Sequence, residues 1–143
     1  MQTLYVLSVT VGKQGVYNVV YVPTEHGSVY AFDADGKGQQ SIVACELHQS
    51  IGGHHDRSSP PPGNDAFAGG EIGITSTPAI DPTTGTLFVV SYTLKSRPPV
   101  YRLHALDLGT RAEKLGGSVV ITAIVPGTGD STDGQGHVVF DPA

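Results

Sequence analysis

The residues best equipped for chemistry are a thiol and three imidazoles, ordered Cys45-x-x-His48 and then His54-His55-Asp56. A thiolate with imidazoles suits zinc or copper, and four such ligands can make a tetrahedral site. The spacing matches no strong zinc signature, and the Gly52-Gly53 and Pro60-Pro61-Pro62 surroundings make a loop whose ordering costs backbone entropy. Cys45, His48, His54 and His55 are therefore a candidate metal cluster, weighed against a solvated polar loop with a partly buried cysteine.

The other titratable residues read more simply. His104, within Leu103-His104-Ala105, has the setting of a packed, hydrogen-bonded sheet residue, and His26 and His137 stand beside strands or at a loop end. Asp33, Asp35 and Asp107 recur where strands end, and there a carboxylate bonds the amides of the turn that follows. Acid/base work by the Asp33 and Asp35 pair is the competing reading, but the turn role explains both repeats. No Gly-x-Ser-x-Gly elbow is present. Gly127-Thr128-Gly129 resembles a phosphate loop only superficially, because no Lys-Ser/Thr and no helical pattern follow it. Pro60-Pro61-Pro62 suits a spacer better than a ligand for an aromatic groove.

The elements that must hold these residues are strands. The 143 residues suffice for one domain with a modest core, and 19 Gly with 10 Pro imply many turns between short segments. Leu4 to Val11, Val16 to Pro23, Val29 to Asp33 and the weaker Ser41 to Leu47 read as strands, as do Thr77 to Ile80, Thr86 to Thr93 and Val100 to Leu108. Ala112 to Leu115, Val119 to Val125 and His137 to Phe140 continue the series, with no convincing helical period anywhere. Leu87-Phe88-Val89-Val90 is apolar at every position, the mark of a strand covered on both faces. The division expected is a blade-like unit over 1–48, a Gly/Pro/His-rich insertion over 49–70, a second unit over 71–126, and a loop with the start of a further strand over 127–143.

A net charge of −5 leaves no basic stripe for nucleic acid, and no apolar stretch approaches the ~20 residues that span a bilayer. Cys45 is the only cysteine, so no internal disulfide forms. The opening Met1 to Val11 lacks the basic flank of a signal peptide and reads as a strand.

One phrase is written twice. Val19-Val20-Tyr21-Val22 leads to Val29-Tyr30-Ala31-Phe32-Asp33, and Thr86-Leu87-Phe88-Val89-Val90 leads to Leu103-His104-Ala105-Leu106-Asp107. These residues, with Thr77-Pro78-Ala79-Ile80-Asp81-Pro82-Thr83-Thr84-Gly85, resemble the repeat of pyrroloquinoline-quinone-like β-propellers. That superfamily holds quinoprotein alcohol dehydrogenases and many non-enzymatic relatives. More narrowly, Asn18 to Val22 with Glu25-His26, Glu71 to Thr75 and Leu103 to Asp107 look like a group of large exported bacterial propeller proteins. The resemblance implies an all-β fold, a partial β-propeller of antiparallel four-stranded blades, and export to the periplasm or outside.

Quinone-binding relatives commonly carry a Trp that docks neighbouring sheets, and acidic and amide residues around calcium. This chain has no Trp and no residue-by-residue match for the calcium set. No cofactor is therefore expected, with pyrroloquinoline quinone plus calcium, or a transition metal, as the alternatives. Propellers have about 4–8 blades, whereas strands are present for about two. The chain is then expected to be a piece of a longer protein, or a protomer completed by copies of itself through open blade edges. The function expected is a non-catalytic structural or interaction module with a protein partner. The alternatives are part of a quinone-dependent dehydrogenase, or a metal-binding loop protein.

Overall fold

The computed structural model describes residues 2–36, 43–46, 73–93, 100–130 and 132–140. Every regular element among them is a strand, and no helix is long and apolar enough to cross a membrane. Strands β1 (Leu4–Val11), β2 (Gly15–Pro23), β3 (Ser28–Asp33) and β4 (Val43–Glu46) form a four-stranded antiparallel sheet in sequential order. A second such sheet holds β5 (Ala79–Asp81), β6 (Thr86–Thr93), β7 (Val100–Asp107) and β8 (Val119–Val120). Strands β9 (Ile124–Pro126) and β10 (His137–Val139) make a separate antiparallel pair.

The repeated phrase becomes the central hairpin of each sheet, in one register. Val19 faces Asp33 and Tyr21 faces Ala31 in the first sheet, while Thr86 faces Asp107 and Phe88 faces Ala105 in the second. Each Asp caps its own turn: Asp33 accepts the Asp35 amide at 3.0 Å, and Asp107 accepts the Gly109 and Thr110 amides at 3.1 and 2.8 Å. Asp35 instead accepts from the Asn18 side-chain amide at 3.1 and 3.3 Å.

In β1 the apolar residues Leu4, Val6, Val9 and Val11 break period-two alternation. The structure resolves the mismatch with a β-bulge between Val6 and Val9, so that Val6 pairs with Val19 and Val9 with Tyr17. Ser8 occupies the left-handed region at φ 56, and its amide donates to Asn18 Oδ1 at 3.1 Å. The extra residue returns Val9 and Val11 to the buried side, where both join the core.

One core lies between the two sheets. Val9, Val11, Val19, Tyr21, Val29 and Ala31 of the first sheet cluster with Leu87, Val89 and Leu106 of the second, together with Ile74 and Leu108. Full burial of such side chains contributes about 1.5–3 kcal/mol each before entropy is counted. Tyr21 also donates its hydroxyl proton to the Leu108 carbonyl across this core at 2.7 Å. Burial pushes the Tyr21 phenol up to about 12, with Arg111 opposing the rise and Asp107 adding to it.

Two glycines let the backbones approach. A Cβ on Gly73 would lie 2.2 Å from the Glu25 carbonyl oxygen and 2.4 Å from the Gly27 nitrogen, in the turn between β2 and β3. A Cβ on Gly109 would lie 2.2 Å from the Thr10 carbonyl oxygen in β1. The first contact is secured by the Ile74 amide donating to the Thr24 carbonyl at 3.1 Å.

The continuous strand expected over Val119 to Val125 is divided. Beyond Val120 the Ile121 amide donates to the Tyr101 carbonyl at 2.8 Å, and the chain then turns away to pair Ile124–Pro126 with β10. The strand expected at Ala112 to Leu115 reduces to a single bridge between Leu106 and Glu113. Positive φ at Arg111 (60°), Leu115 (56°), Gly116 and Gly117 prevents a longer ladder.

Candidate functional site

Cys45 lies on β4, opposite Val29 in the antiparallel register. The other three candidate ligands, His48, His54 and His55, lie outside the described residues. Among the described residues no group of three or more His, Cys, Asp or Glu side chains is placed to hold a metal. His137 is instead tied to Asp133, with Nδ1 3.0 Å from Oδ2. The Gln135 amide is the main cause that holds the Asp133 carboxyl below its ordinary range, and His137 adds to it.

Among the described residues the structure gathers a polar constellation that sequence reasoning missed. Ser91 Oγ on β6 lies 2.8 Å from His104 Nε2 on β7, and His104 Nδ1 lies 2.5 Å from Glu113 Oε1. In the tautomer with its proton on Nδ1, the His104 ring donates to Glu113 and accepts the Ser91 hydroxyl proton at Nε2. The order matches a nucleophile, a base and an orienting carboxylate. Its position does not match, because Ser91 is 0% and His104 2% exposed. Register puts both on the face that carries Leu87 and Val89, which is turned into the core. No substrate reaches a hydroxyl there. The network therefore acts structurally: it satisfies two buried polar side chains and ties the β6–β7 hairpin to the segment that follows it. The strand pattern around His104 was readable in the sequence. Its partners were not, since Ser91 is reached by a diagonal across the hairpin and Glu113 only after the turn at Gly109 to Arg111.

The accessible feature is an apolar face. On the first sheet, the side opposite the core carries Tyr5, Val20, Val22, Tyr30 and Phe32, in register across β1, β2 and β3. Tyr5 is 56% and Phe32 39% exposed, and the Tyr30 and Phe32 rings stack with centroids 6.2 Å apart. Tyr5 and Phe32 are the exposed members of this face, and Val20, Val22 and Tyr30 are partly buried.

The corresponding surfaces of the two sheets are used differently. Aligned by register, Leu87, Val89, His104 and Leu106 of the second sheet are the equivalents of Val20, Val22, Tyr30 and Phe32 of the first. The former set is buried; of the latter, Phe32 is exposed and Val20, Val22 and Tyr30 are partly buried. The first sheet buries Val19, Tyr21, Val29 and Ala31, whose equivalents Thr86, Phe88, Leu103 and Ala105 lie on the far side of the second sheet. Two unlike faces of equivalent sheets are thus in contact. On that far side Leu103 is 41% and Val119 62% exposed, while Tyr92, Tyr101 and Phe140 form a chain of tilted rings at 4.8 and 5.9 Å that brings the β9–β10 pair against one end.

Among the described residues no group resembles the calcium site of the resembled enzymes. There is no Trp to stack on a ring system. Asp33, Asp81 and Asp107 are each engaged with the amides of their own turns rather than converging on one point. Comparison with family models, curated proteins and solved structures finds no match for the chain.

Proposed function

We propose that the chain is a structural and interaction module of the β-propeller type, with two blades in series and the opening strand of a third. It acts through sheet faces and not by catalysis. The observation that carries this reading is the contact between unlike faces of equivalent sheets. A two-sheet sandwich related by a local dyad would bring like faces together. Unlike faces in contact define a one-directional stack, which ends only when units close into a ring or a different element covers the last face.

Two further features support the reading. The motif Ile80-Asp81-Pro82, which closes the first strand of the second sheet, recurs as Phe140-Asp141-Pro142 after β10. This sequence echo supports reading His137 to Phe140 as the opening strand of a third unit. The resemblance to pyrroloquinoline-quinone-like repeats points to the same architecture, and the cofactor residues that would add redox chemistry are missing from the matched positions.

Hydrogen exchange tests the stack. Leu87→Ala, a cavity on the second sheet, is expected to speed amide exchange in β2 and β3 as well as in β6 and β7. Acceleration confined to β6 and β7 would mean that the sheets are independent, and the stacked reading would fail. Titration with pyrroloquinoline quinone and calcium is expected to leave the quinone spectrum unchanged; stoichiometric binding with a redox-active spectrum would make the protein an enzyme fragment instead.

A further inference from the structure

We infer that the outer face of the first sheet is a docking surface for a second copy of this chain, which binds head to tail through the outer face of its second sheet. The inference rests on the stacked reading above and names the partner that the reading leaves open. Its warrant is internal: the contact required between copies is the one already made within each copy. Val20, Val22, Tyr30 and Phe32 occupy the positions that Leu87, Val89, His104 and Leu106 occupy on the second sheet, and that second set is covered by the first sheet. The surface that does the covering carries Val19, Tyr21, Val29 and Ala31, and its equivalents on the second sheet are Thr86, Phe88, Leu103 and Ala105. On that second surface Thr86 and Ala105 are already buried and Phe88 is partly so, which leaves Leu103, with its pairing neighbour Val119, as the part open to a further contact at the far end of the stack.

Chemistry agrees at both ends. The donor end offers Tyr5 and Phe32, at 56% and 39% exposure, and the acceptor end offers Leu103 and Val119, at 41% and 62%. None of these residues is charged, so a net charge of −5 per chain does not oppose the contact locally, and added salt screens what repulsion remains. The β9–β10 pair covers the Tyr101 end of the acceptor face and leaves Leu103 and Val119 to the incoming sheet.

Sedimentation velocity on the intact chain, over a broad concentration range, tests the inference. Reversible growth of the sedimentation coefficient with concentration is expected. Phe32→Glu disables the donor end and Val119→Glu the acceptor end; each should weaken self-association about thirtyfold or more, as loss of a central apolar anchor does. Because the contact is directional, mixing the two variants should restore one intact junction and give a heterodimer that grows no further. Both residues are exposed, and near-ultraviolet circular dichroism checks that each variant keeps the native fold. A monomer at every concentration overturns the proposal. So does a dimer that survives Val119→Glu unchanged, since that species would be symmetric through the first sheet alone. Either result, with exchange still coupled between the sheets, rejects the docking partner and keeps the stack; uncoupled exchange rejects both.

Discussion

Replacing Tyr21 by Phe isolates a side-chain hydrogen bond that crosses the core. The hydroxyl donates to the Leu108 carbonyl at 2.7 Å from a residue with 0% exposure, so the variant leaves a buried acceptor without its partner. That penalty is about 1–3 kcal/mol. At a urea slope of about 2 kcal/mol/M, a loss of about 2 kcal/mol lowers the denaturation midpoint by about 1 M. The same residue gives an alkaline signature. Its phenol is raised from 10.0 to about 12, chiefly by burial, so the folded state holds the proton more tightly than the unfolded chain. The stabilisation is whole below the unfolded value of 10.0 and is lost as pH climbs toward about 12. A gap of that size corresponds to about 3 kcal/mol. Tyr92 is also raised, by burial first and Tyr101 second, so the wild-type alkaline limb contains both residues. Urea titrations over rising pH, on wild type and Tyr21→Phe, separate them: the variant should start lower and fall less steeply. An unchanged midpoint near neutrality, together with an unchanged alkaline slope, would refute the assignment of Tyr21 as the tie between sheets.

Other perturbations have equally definite outcomes. Gly73→Ala forces a Cβ against the backbone of Glu25 and Gly27, and thermal denaturation should show a loss of about 1–3 kcal/mol or more. Ser91→Ala strips His104 Nε2 of its buried partner and should cost about 1–3 kcal/mol in urea denaturation, with folding retained. Ser8→Gly relieves a left-handed residue at φ 56 and should raise the melting temperature slightly, because the strain of about 1–2 kcal/mol exceeds the entropy cost of glycine. Burial alone would raise the Asp107 carboxyl, but the amide and hydroxyl of Thr110 and the amide of Gly109 outweigh it and hold the group low. Its contribution is therefore present above the unfolded carboxylate range and lost as pH falls through the folded value, so Asp107→Asn should flatten the acid limb of the stability curve.

Much of the fold was legible because it rests on local pattern. The twice-written phrase located β2–β3 and β6–β7, and the turn roles of Asp33 and Asp107 followed from their places at strand ends. What remained hidden depends on contacts across strands. The bulge at Ser8 was visible only as faulty alternation in β1, since nothing local says which residue leaves the ladder. Val119 to Val125 has one apolar texture, and its division comes from competition between β7 and β10 for the same stretch of backbone. The run Leu87 to Val90 was expected to be covered on both faces; Leu87 and Val89 are sealed while Phe88 and Val90 are only partly so. The Ser91 and Glu113 partners of His104 could not be found without knowing the register. Cys45 has a place on β4, and its three candidate co-ligands fall outside the described residues.

The one-residue offset between the faces buried by successive sheets bears on how such a chain originates. A coding segment for one sheet, copied in tandem, yields a product whose new junction is already solved, since each copy brings both mating surfaces with it. Length can then change by whole increments without fresh invention at any seam. In an array built that way the burden of adaptation falls on the terminal sheets, where a surface shaped for a neighbour must find one or be blunted.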